Sequence, residues 1–447
     1  MTLSFVLFAV YIAVIAVVTW KTSRQENPED FMISGRKLNA FRAGISITAG
    51  WTGGYILFSI AAIAYGGGAI IFLFSCGVVL GFVFLMFIGH KIQHIAAQEK
   101  IYTLPALIGY FFGGRTLLLT SFITLFIYAL FVIMELIAGA SILSLLSGFS
   151  YQSCLLFFVL IVAAYMISGG FSVILRTDLI QFLIIVLMTG GFLIFGDYGA
   201  VEADIPLKFM EEIRATPFWA ALGTVIIVLP AFIITADLWQ RLYAAKSGSH
   251  VRGSLVFAAV FLVLLLTGLT LLAMATGTLE TGLSDREVFP KAMELFLPSW
   301  LLPFMAVVFM AVIMSSLDSF AFVAGQCLAN DGFCRFLPDA GLRPKFYTRL
   351  GILAVLVITA AVALMQPDIT TLLFLVIYLY SSMMPVMYGL LLEKPPSGHA
   401  VFWAVFLSVL SNTVLFFTGQ LTDWISVGIM AAAMIFPFVY DRIFSRA

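Results

Sequence analysis

The sequence predicts an all-α polytopic membrane protein with about 13 transmembrane helices. Of its 447 residues, 62% are hydrophobic and only 10% are charged, whereas soluble domains carry about 25% charged residues. Apolar runs long enough to cross a bilayer, about 20 residues each, recur along the whole chain. We place them near residues 3–20, 41–65, 69–90, 116–146, 151–169, 177–196, 217–239, 253–277, 299–331, 347–365, 370–391, 400–418 and 424–440.

Lysine and arginine indicate the orientation, because cytoplasmic loops are enriched in both. With the N-terminus outside, all but four of the 23 lysines and arginines fall in cytoplasmic loops. The four exceptions are Lys208, Arg214, Arg286 and Lys291. We therefore expect a multi-pass protein of the cell (inner) membrane, with the N-terminus outside and the C-terminus in the cytoplasm.

The composition argues against several classes of function. The formal net charge is zero, which is untypical of a nucleic-acid-binding protein. The four cysteines, Cys76, Cys154, Cys327 and Cys334, lack the spacing of a metal site. No clustered nucleophile or metal motif indicates an enzyme. The lipid bilayer is the expected environment, and the sequence indicates no obligate protein partner.

The order of the spans predicts an inverted repeat. If the first span is numbered zero, spans 1–5 (residues 41–196) and spans 6–10 (residues 197–392) form two blocks of similar length. An odd number of spans per block inverts the second block relative to the first. Residues 1–40 then form a leading helix with a cytoplasmic linker, and residues 393–447 form two trailing helices. We thus expect a 5+5 transporter core built from an inverted five-helix repeat.

The first span of each block carries a helix-breaking element. Ala49–Gly54 reads Ala-Gly-Trp-Thr-Gly-Gly in the middle of span 1, and Pro230 lies in the middle of span 6. Paired interruptions in corresponding spans indicate a transporter binding site, although small residues also serve close helix packing. The other tryptophans lie near span ends, whereas a mid-depth indole such as that of Trp51 is expected to line a cavity.

Span 8 carries a polar face. Ser315, Asp318 and Ser319 are spaced i, i+3 and i+4, so they share one side of a helix. Hydroxyl and carboxylate oxygens suit a small, hard cation such as Na⁺. Serine hydroxyls in membrane helices also bond back to helix carbonyls, but such bonds do not explain an aspartate at membrane depth.

Three further carboxylates lie at or near membrane depth. Glu135 has no basic residue at comparable depth, so it must be protonated, face water or meet a cationic ligand. Asp178 could lie beside a helix N-terminus, pair with Arg176, or line the inner mouth of a cation path. Asp237 is expected to pair with Arg241, four residues later.

Four stretches resemble motifs of the sodium:solute symporter family, whose members include sodium-coupled carriers of sugars, proline, pantothenate and sialic acid. The stretches are Asp30–Leu38, Tyr165–Gln181 with its Gly-Gly and Thr-Asp pairs, Trp239–Lys246 (Trp-Gln-Arg-Leu-Tyr-Ala-Ala-Lys) and Met314–Ser319 (Met-Ser-Ser-Leu-Asp-Ser). They occur in the family's order and on the expected spans. The resemblance covers most of residues 28–395 and implies the inverted five-helix repeat fold.

The resemblance also implies a Na⁺ site between core spans 1 and 8, with Na⁺ as the coupling ion. The ligands implied by motif position are the carbonyls of Ala49, Thr52 and Val312 and the hydroxyls of Ser315 and Ser316. Some members have a second Na⁺ site. In this chain it would map to Asp178, Ser315, Asp318 and Ser319.

The resemblance does not extend to the solute. Proline carriers have an aspartate, and sugar carriers a polar residue, where this chain has Trp51; the lysine and tyrosine of the sugar carriers are also absent. The expected pocket consists of Trp51, Tyr55, Phe72, Cys76, Glu135, Phe232, Tyr378 and Ser381. Because this set is largely aromatic with one carboxylate, we expect a small organic solute that is amphipathic or bears an amine.

The sequence therefore predicts a secondary active transporter that couples Na⁺ to the uptake of a small organic solute by alternating access. Two alternatives stay open. One is a proton-coupled symporter of the same fold that uses Glu135 or Asp318. The other is a non-transporting membrane sensor built on a transporter fold.

Overall fold

The computed structural model describes residues 2–199, 205–333 and 343–444, so that Cys334 lies outside the described residues. Regular structure in these ranges is helical, apart from a single β-bridge between Leu38 and Ala245. The helices are α1 Thr2–Ser23, α2 Pro28–Ile33, α3 Ala40–Trp51, α4 Gly54–Gly66, α5 Ala69–Gln98, α6 Leu104–Phe112, α7 Gly114–Ser147, α8 Tyr151–Met166, α9 Phe171–Phe195, α10 Ile205–Ala215, α11 Phe218–Ile233, α12 Ala236–Ala244, α13 Gly248–Leu279, α14 Val288–Phe296, α15 Leu302–Gln326, α16 Pro344–Ala363, α17 Ile369–Ser382, α18 Tyr388–Leu391, α19 Gly398–Phe417 and α20 Asp423–Phe444.

Many of the described helices have the length and apolarity of membrane spans. Nine of them could cross a membrane alone, and the number rises to 12 when each of three bent pairs counts as one span. The bent pairs are Ala40–Trp51 with Gly54–Gly66, Leu207–Ala215 with Phe218–Ile233, and Ile369–Ser382 with Met384–Leu391. Helix α8 is apolar but only 16 residues long. The total of 13 spans depends on this helix and stays a prediction, as do the boundaries of the two repeats.

The break predicted in the first core span lies between α3 and α4. Helix α3 ends at Trp51, and the chain bends by 60° before α4 begins at Gly54. Gly53, in the turn, cannot be replaced without a clash. A Cβ atom there would lie 2.1 Å from the Glu135 Oε1 and 2.5 Å from the Ser316 Oγ. The glycine is therefore required by the close approach of two polar side chains.

The second break does not lie at Pro230, as the sequence suggested. Helix α11 continues through Pro230 to Ile233, and the chain leaves the helix at Ile234. Two side chains take up carbonyl groups at this end: the Trp239 indole N–H donates to the Ile233 carbonyl (2.6 Å), and the Thr235 hydroxyl donates to the carbonyl four residues before it. Because these donors satisfy carbonyls that have no partner within the helix, they stabilise this helix end.

Helix α15 forms the centre of the bundle. In its most apolar stretch 94% of the residues are buried, against 17% in α20 at the periphery. It packs against α1, α3, α7, α9 and α16. Polar side chains on α15 therefore face protein instead of lipid, which is the environment that a carboxylate at membrane depth requires.

Candidate functional site

An oxygen cluster lies where the end of α3 meets α15. The Ser315 Oγ is 2.8 Å from the Ala49 carbonyl oxygen and 2.8 Å from the Val312 carbonyl oxygen. The Ser316 Oγ is 3.4 Å from the same Val312 oxygen. All four residues are buried. The structure thus brings together four of the five residues predicted to bind Na⁺, and their hard oxygens suit that ion.

Thr52, the fifth predicted ligand, caps the end of α3. Its N–H and its hydroxyl both donate to the Thr48 carbonyl, at 3.0 and 2.8 Å. The side chain therefore points back along α3. The Thr52 carbonyl, which is the predicted ligand atom, lies in the non-helical turn, with a φ of −93° and a ψ of 75°.

Glu135, on α7, is bonded to both sides of this cluster. Its Oε1 accepts a hydrogen bond from the Ser316 hydroxyl (2.7 Å), and its Oε2 accepts one from the Gly54 N–H (2.9 Å). The side chain is completely buried. Gly54 is the first residue of α4, and a helix N-terminus stabilises a carboxylate through its free N–H groups and its dipole. The carboxylate predicted to line the solute pocket is therefore placed beside the oxygen cluster, with partners other than a solute.

A second polar cluster surrounds Arg241 of α12. The Arg241 Nη2 is 3.2 Å from the Asp178 Oδ2 and donates to the Ser319 Oγ at 2.7 Å. The Arg241 Nη1 is 3.6 Å from the Asp237 Oδ2. The Ser46 hydroxyl donates to the Asp178 Oδ2 and accepts from the Arg241 Nε. Arginine suits such a site because its planar guanidinium bonds several acceptors at once.

This cluster agrees with one expectation and changes another. Asp237 does pair with Arg241, as predicted. The partner of Asp178 is also Arg241, whereas Arg176 donates to the Thr22 hydroxyl instead (3.2 Å). The sequence did not predict the pair of Asp178 and Arg241, because the two residues are 63 positions apart and no helical spacing relates them.

The second predicted ion site coincides with this guanidinium. Asp178 and Ser319 do approach each other, but a cationic side chain already lies between them. Asp318 is also buried, and its Oδ1 has no hydrogen-bond partner among the described residues. A second Na⁺ bound by these oxygens would have to displace Arg241, so this structure does not show the expected arrangement.

Aromatic rings pack around the break of α3. The Trp51 and Phe232 ring centroids are 4.4 Å apart with a 32° angle between the planes. Phe74 and Phe82 meet Phe232 edge-on, each at 5.8 Å. Trp51 is only 5% exposed, and its indole N–H has no hydrogen-bond partner in the part of the chain that the structure describes. The predicted proximity of Trp51 and Phe232, one from each break, is thus present in the fold.

Tyr55 borders the same break on the other side. Its ring packs edge-on against Phe131 at 5.1 Å and against Phe320 at 5.8 Å. The side chain is 1% exposed, and its hydroxyl likewise lacks a hydrogen-bond partner among the described residues. Phe131 and Phe320 were not predicted, because apolar side chains on long apolar helices give no sign of which face turns inward.

The two predicted pocket residues on α5 are Phe72 and Cys76, and the structure does not place Phe72 at Phe232. Phe72 is 45% exposed and packs against Phe209, whereas Phe74 points to Phe232. Residues two apart on a helix lie on nearly opposite faces, so the expected phenylalanine was two positions too early. Cys76 is half-buried.

The two predicted pocket residues on α17 face the trailing helices. The Tyr378 hydroxyl donates to the Asp423 Oδ1 at 2.8 Å, and the Ser381 hydroxyl bonds the Tyr378 carbonyl at 2.7 Å and lies 3.1 Å from the Ser426 Oγ. Tyr380, on the opposite face of the helix, is buried. The structure therefore does not bring Tyr378 and Ser381 to Trp51.

Comparison with known proteins agrees with the family resemblance of the sequence. The sequence pattern of the sodium:solute symporter family matches residues 31–404. Relatives include a sodium/pantothenate symporter of Haemophilus influenzae, 24% identical over 63% of this chain and 61% of the relative, and a sodium/glucose cotransporter of Vibrio parahaemolyticus, 26% identical over 59% and 53%. The human sodium/glucose cotransporter 4 is 24% identical over 73% of this chain and 55% of its own length. The chain thus spans little more than half the length of these relatives.

Solved structures share the fold. A Na⁺-coupled sialic acid symporter in a substrate-bound, outward-open state superposes with a TM-score of 0.85 at 18% identity, over 99% of this chain and 98% of that one. A nucleobase-cation-symport-1 family transporter, closed with bromovinylhydantoin bound, gives a TM-score of 0.60 at 12% identity, over 94% and 96%. The predicted fold class, an all-α transporter core, is confirmed by these superpositions. With a family match over residues 31–404, the chain belongs to the sodium:solute symporter family.

Proposed function

We propose that this protein is a secondary active transporter that couples Na⁺ to the uptake of a small organic solute by alternating access. The observation that carries the proposal is the contact between the broken end of α3 and α15, where the Ser315 hydroxyl meets the Ala49 and Val312 carbonyls. Carbonyls freed by a broken helix are typical ligands of coupling ions in transporters. The family supports Na⁺ as that ion.

Binding of Na⁺ would exchange hydrogen bonds for ion contacts. The ion takes the Ala49 and Val312 carbonyls from Ser315, whose hydroxyl then turns its lone pairs to the ion. The Ser316 hydroxyl needs little adjustment, because its hydrogen already points to Glu135 (2.7 Å), which leaves its lone pairs for a cation. The bound ion thereby joins α3 to α15 and favours the conformation in which the two meet.

Glu135 supplies the negative charge that the proposed ligand atoms lack. The five proposed ligand atoms are neutral carbonyls and hydroxyls, so the ion would otherwise be buried without a counter-charge, which is costly at membrane depth. Glu135 is one hydrogen bond away from Ser316 and also holds the Gly54 N–H. We assign it to orienting Ser316 and to balancing the ion, in place of the predicted contact with solute.

The solute is proposed to bind between the two breaks, beside Trp51 and Phe232. The Trp51 indole N–H and the Tyr55 hydroxyl are buried donors without partners in the described residues, and an unpaired buried donor costs about 1–3 kcal/mol. A solute with acceptor oxygens would pair with these two donors, and a flat or apolar face would pack against the rings of Trp51 and Phe232. Because Glu135 has other partners, the pocket no longer argues for an amine.

Reciprocal coupling then links ion and solute. If Na⁺ stabilises the junction of α3 and α15, solute that binds next to this junction is favoured by the ion, and the ion by the solute, to the same extent. Rocking of one helical bundle against the other would expose both to the opposite side. We further propose the orientation that the lysine and arginine distribution favours, with the N-terminus outside a cell membrane and the C-terminus in the cytoplasm, and no obligate protein partner.

Thermal stabilisation of the purified protein tests the proposal without knowledge of the solute. A ligand at 100 times its Kd stabilises a folded protein by about 2.7 kcal/mol, so NaCl should raise the melting temperature relative to choline chloride. Ser315→Ala should remove the difference. Ser254→Ala is the matched control, because this buried serine bonds the Val251 carbonyl at 2.8 Å with the same i−3 geometry. Equal melting of the wild-type protein in both salts would contradict Na⁺ coupling.

A proton-coupled symporter of the same fold is the second candidate. Asp318 favours it, since this carboxyl group is buried with an Oδ1 that has no hydrogen-bond partner among the described residues. Solute uptake into proteoliposomes that follows a pH gradient in Na⁺-free buffer, and that is lost in Asp318→Asn, would favour protons. Na⁺-dependent stabilisation without any uptake would instead favour the sensor.

A further inference from the structure

A cavity of about 710 Å³ lies apart from the proposed ion and solute sites. It is at the end of the bundle where α1 ends and α9 begins. Its walls are the last turn of α1, the linker that contains α2, the first turns of α3 and the first turns of α9. The Arg176 Nη1 donates to the Thr22 hydroxyl at 3.2 Å and joins α9 to α1 across it.

Four cations line this cavity, one from each of its four walls. They are Lys21, Lys37, Arg42 and Arg176, and all four are exposed. Two carboxylate residues, Glu26 and Asp30, also line it, so the cations are in excess.

One of the two carboxylates opposes the cations only weakly. Burial raises the pKa of the Glu26 carboxyl group to about 7, so its negative charge is reduced near neutral pH. This leaves Asp30 as the carboxylate opposite the four cations. The cavity therefore favours an anion.

The deeper part of the cavity is apolar. Val18 and Leu179 line it, each three residues and about 4.5 Å along the helix axis from a cation of the same helix. Leu179 exposes 44% of its surface. The Trp20 ring, 53% exposed with the Arg24 guanidinium 4.0 Å above it, has the position of an interfacial tryptophan. The cations thus lie at the membrane surface, and the apolar wall lies on the bilayer side of them.

We propose that this cavity binds the headgroup of an anionic glycerophospholipid, with the acyl chains along α1 and α9. Clusters of lysine and arginine between membrane helices attract acidic headgroups, and arginine matches a phosphate with paired N–H donors. A soluble anion would use the cations but not the apolar wall. A zwitterionic lipid would use the apolar wall but gain little from the excess of positive charge. The site is independent of the proposed transport function.

Native mass spectrometry of the detergent-purified protein tests the proposal. Phosphatidylglycerol and phosphatidylcholine with the same acyl chains are added, and we expect bound phosphatidylglycerol to dominate. Each lysine or arginine near an acidic headgroup contributes about 1 kcal/mol, or roughly fivefold in affinity. The double variant Arg42→Gln with Arg176→Gln should therefore bind phosphatidylglycerol roughly 25-fold more weakly. The matched control replaces Arg115 and Lys246, exposed basic residues outside the cavity, with glutamine and should bind as the wild type does.

Three outcomes would overturn the proposal. The first is equal binding of the two lipids by the wild-type protein, a measurement that needs no variant. The second is an equal loss of binding in the control variant. The third is displacement of the lipid by millimolar inorganic phosphate, which would indicate a site for a soluble anion. If the arginine variant does not fold, Lys21→Gln with Lys37→Gln removes the same charge from the other two walls.

Discussion

Replacing Glu135 with glutamine removes one charge from the proposed ion site with little change in shape. In the structure the Glu135 Oε1 accepts from Ser316 at 2.7 Å, and the Oε2 accepts from the Gly54 N–H at 2.9 Å. A glutamine can keep the first bond through its carbonyl oxygen. Its NH₂ group would then face the Gly54 N–H, so one bond to the start of α4 is lost as well. We expect weaker Na⁺ binding in Glu135→Gln.

The distance to the ion gives the magnitude. Oxygen ligands lie about 2.4 Å from Ca²⁺, an ion of similar size, and with this length a Na⁺ on the Ser316 oxygen would lie about 5 Å from the carboxylate. Two unit charges at this separation attract each other by about 3 kcal/mol at an effective dielectric constant of about 20. This corresponds to a loss of Na⁺ affinity on the order of 100-fold. Protonation of the ion-free carboxyl group would reduce the loss toward about tenfold, because part of the attraction is then spent on releasing the proton.

The assay is a Na⁺ titration followed by melting temperature, with choline chloride keeping the ionic strength constant. Glu135→Gln should shift the midpoint to higher Na⁺, and Ser316→Ala should do so through the same hydrogen bond. The double variant should lose less than the sum of the two, since contacting residues are coupled. A midpoint within twofold of the wild type, alongside a clear effect of Ser315→Ala, would refute the assignment. A change in solute affinity alone would restore the pocket role predicted from the sequence.

Three further predictions follow from buried or tightly packed groups. Gly53→Ala should abolish Na⁺-dependent stabilisation because its Cβ would meet the Glu135 Oε1, whereas Gly190→Ala, with no neighbour within 4 Å, should leave the Na⁺ titration unchanged. Arg241→Gln leaves buried carboxylates unpaired and should destabilise the protein by about 3–5 kcal/mol; an unchanged melting curve would count against the cluster. Burial raises the pKa of Glu26 from 4.5 to about 7, so the protonated form favours folding, and stability should fall as the pH rises through this window. Glu26→Gln should remove that fall, by on the order of a few degrees in melting temperature, and a pH profile that matches the wild type would contradict it.

Local signals predicted the break at the end of α3 but not the break at the end of α11. Gly50, Gly53 and Gly54 weaken a helix wherever they occur, so their effect is visible in sequence. The proline of α11 also weakens a helix, yet its chain stays helical for three more residues to Ile233. The end is stabilised by the indole of Trp239, which donates to the Ile233 carbonyl after the chain has turned. Such a bond depends on the fold and has no signature in the sequence.

The sequence also could not predict which face of an apolar helix turns toward the interior of the protein. Helix α5 is apolar on every side, and such a helix gives no amphipathic pattern from which an inward face can be chosen. Phe72 and Phe74 were therefore equivalent in sequence, although one is 45% exposed and the other packs on Phe232. The positions of polar residues could be predicted more readily. Ser315 and Ser316 lie at the predicted junction of α3 and α15, because a hydroxyl at membrane depth must find a partner.

The break of α3 also links the proposed ion site to the packing of the helices. A broken helix at membrane depth exposes backbone groups that each cost several kcal/mol when unpaired. Here the Gly54 N–H is satisfied by Glu135, and the Ala49 carbonyl by Ser315. A Na⁺ ion at the proposed site would have to compete with Ser315 for that carbonyl, so its affinity would be the difference between ion contacts and hydrogen bonds already present. It follows that a substitution that weakens the Ser315 hydrogen bond to the Ala49 carbonyl without removing a ligand should tighten Na⁺ binding, whereas a substitution that removes a ligand should weaken it.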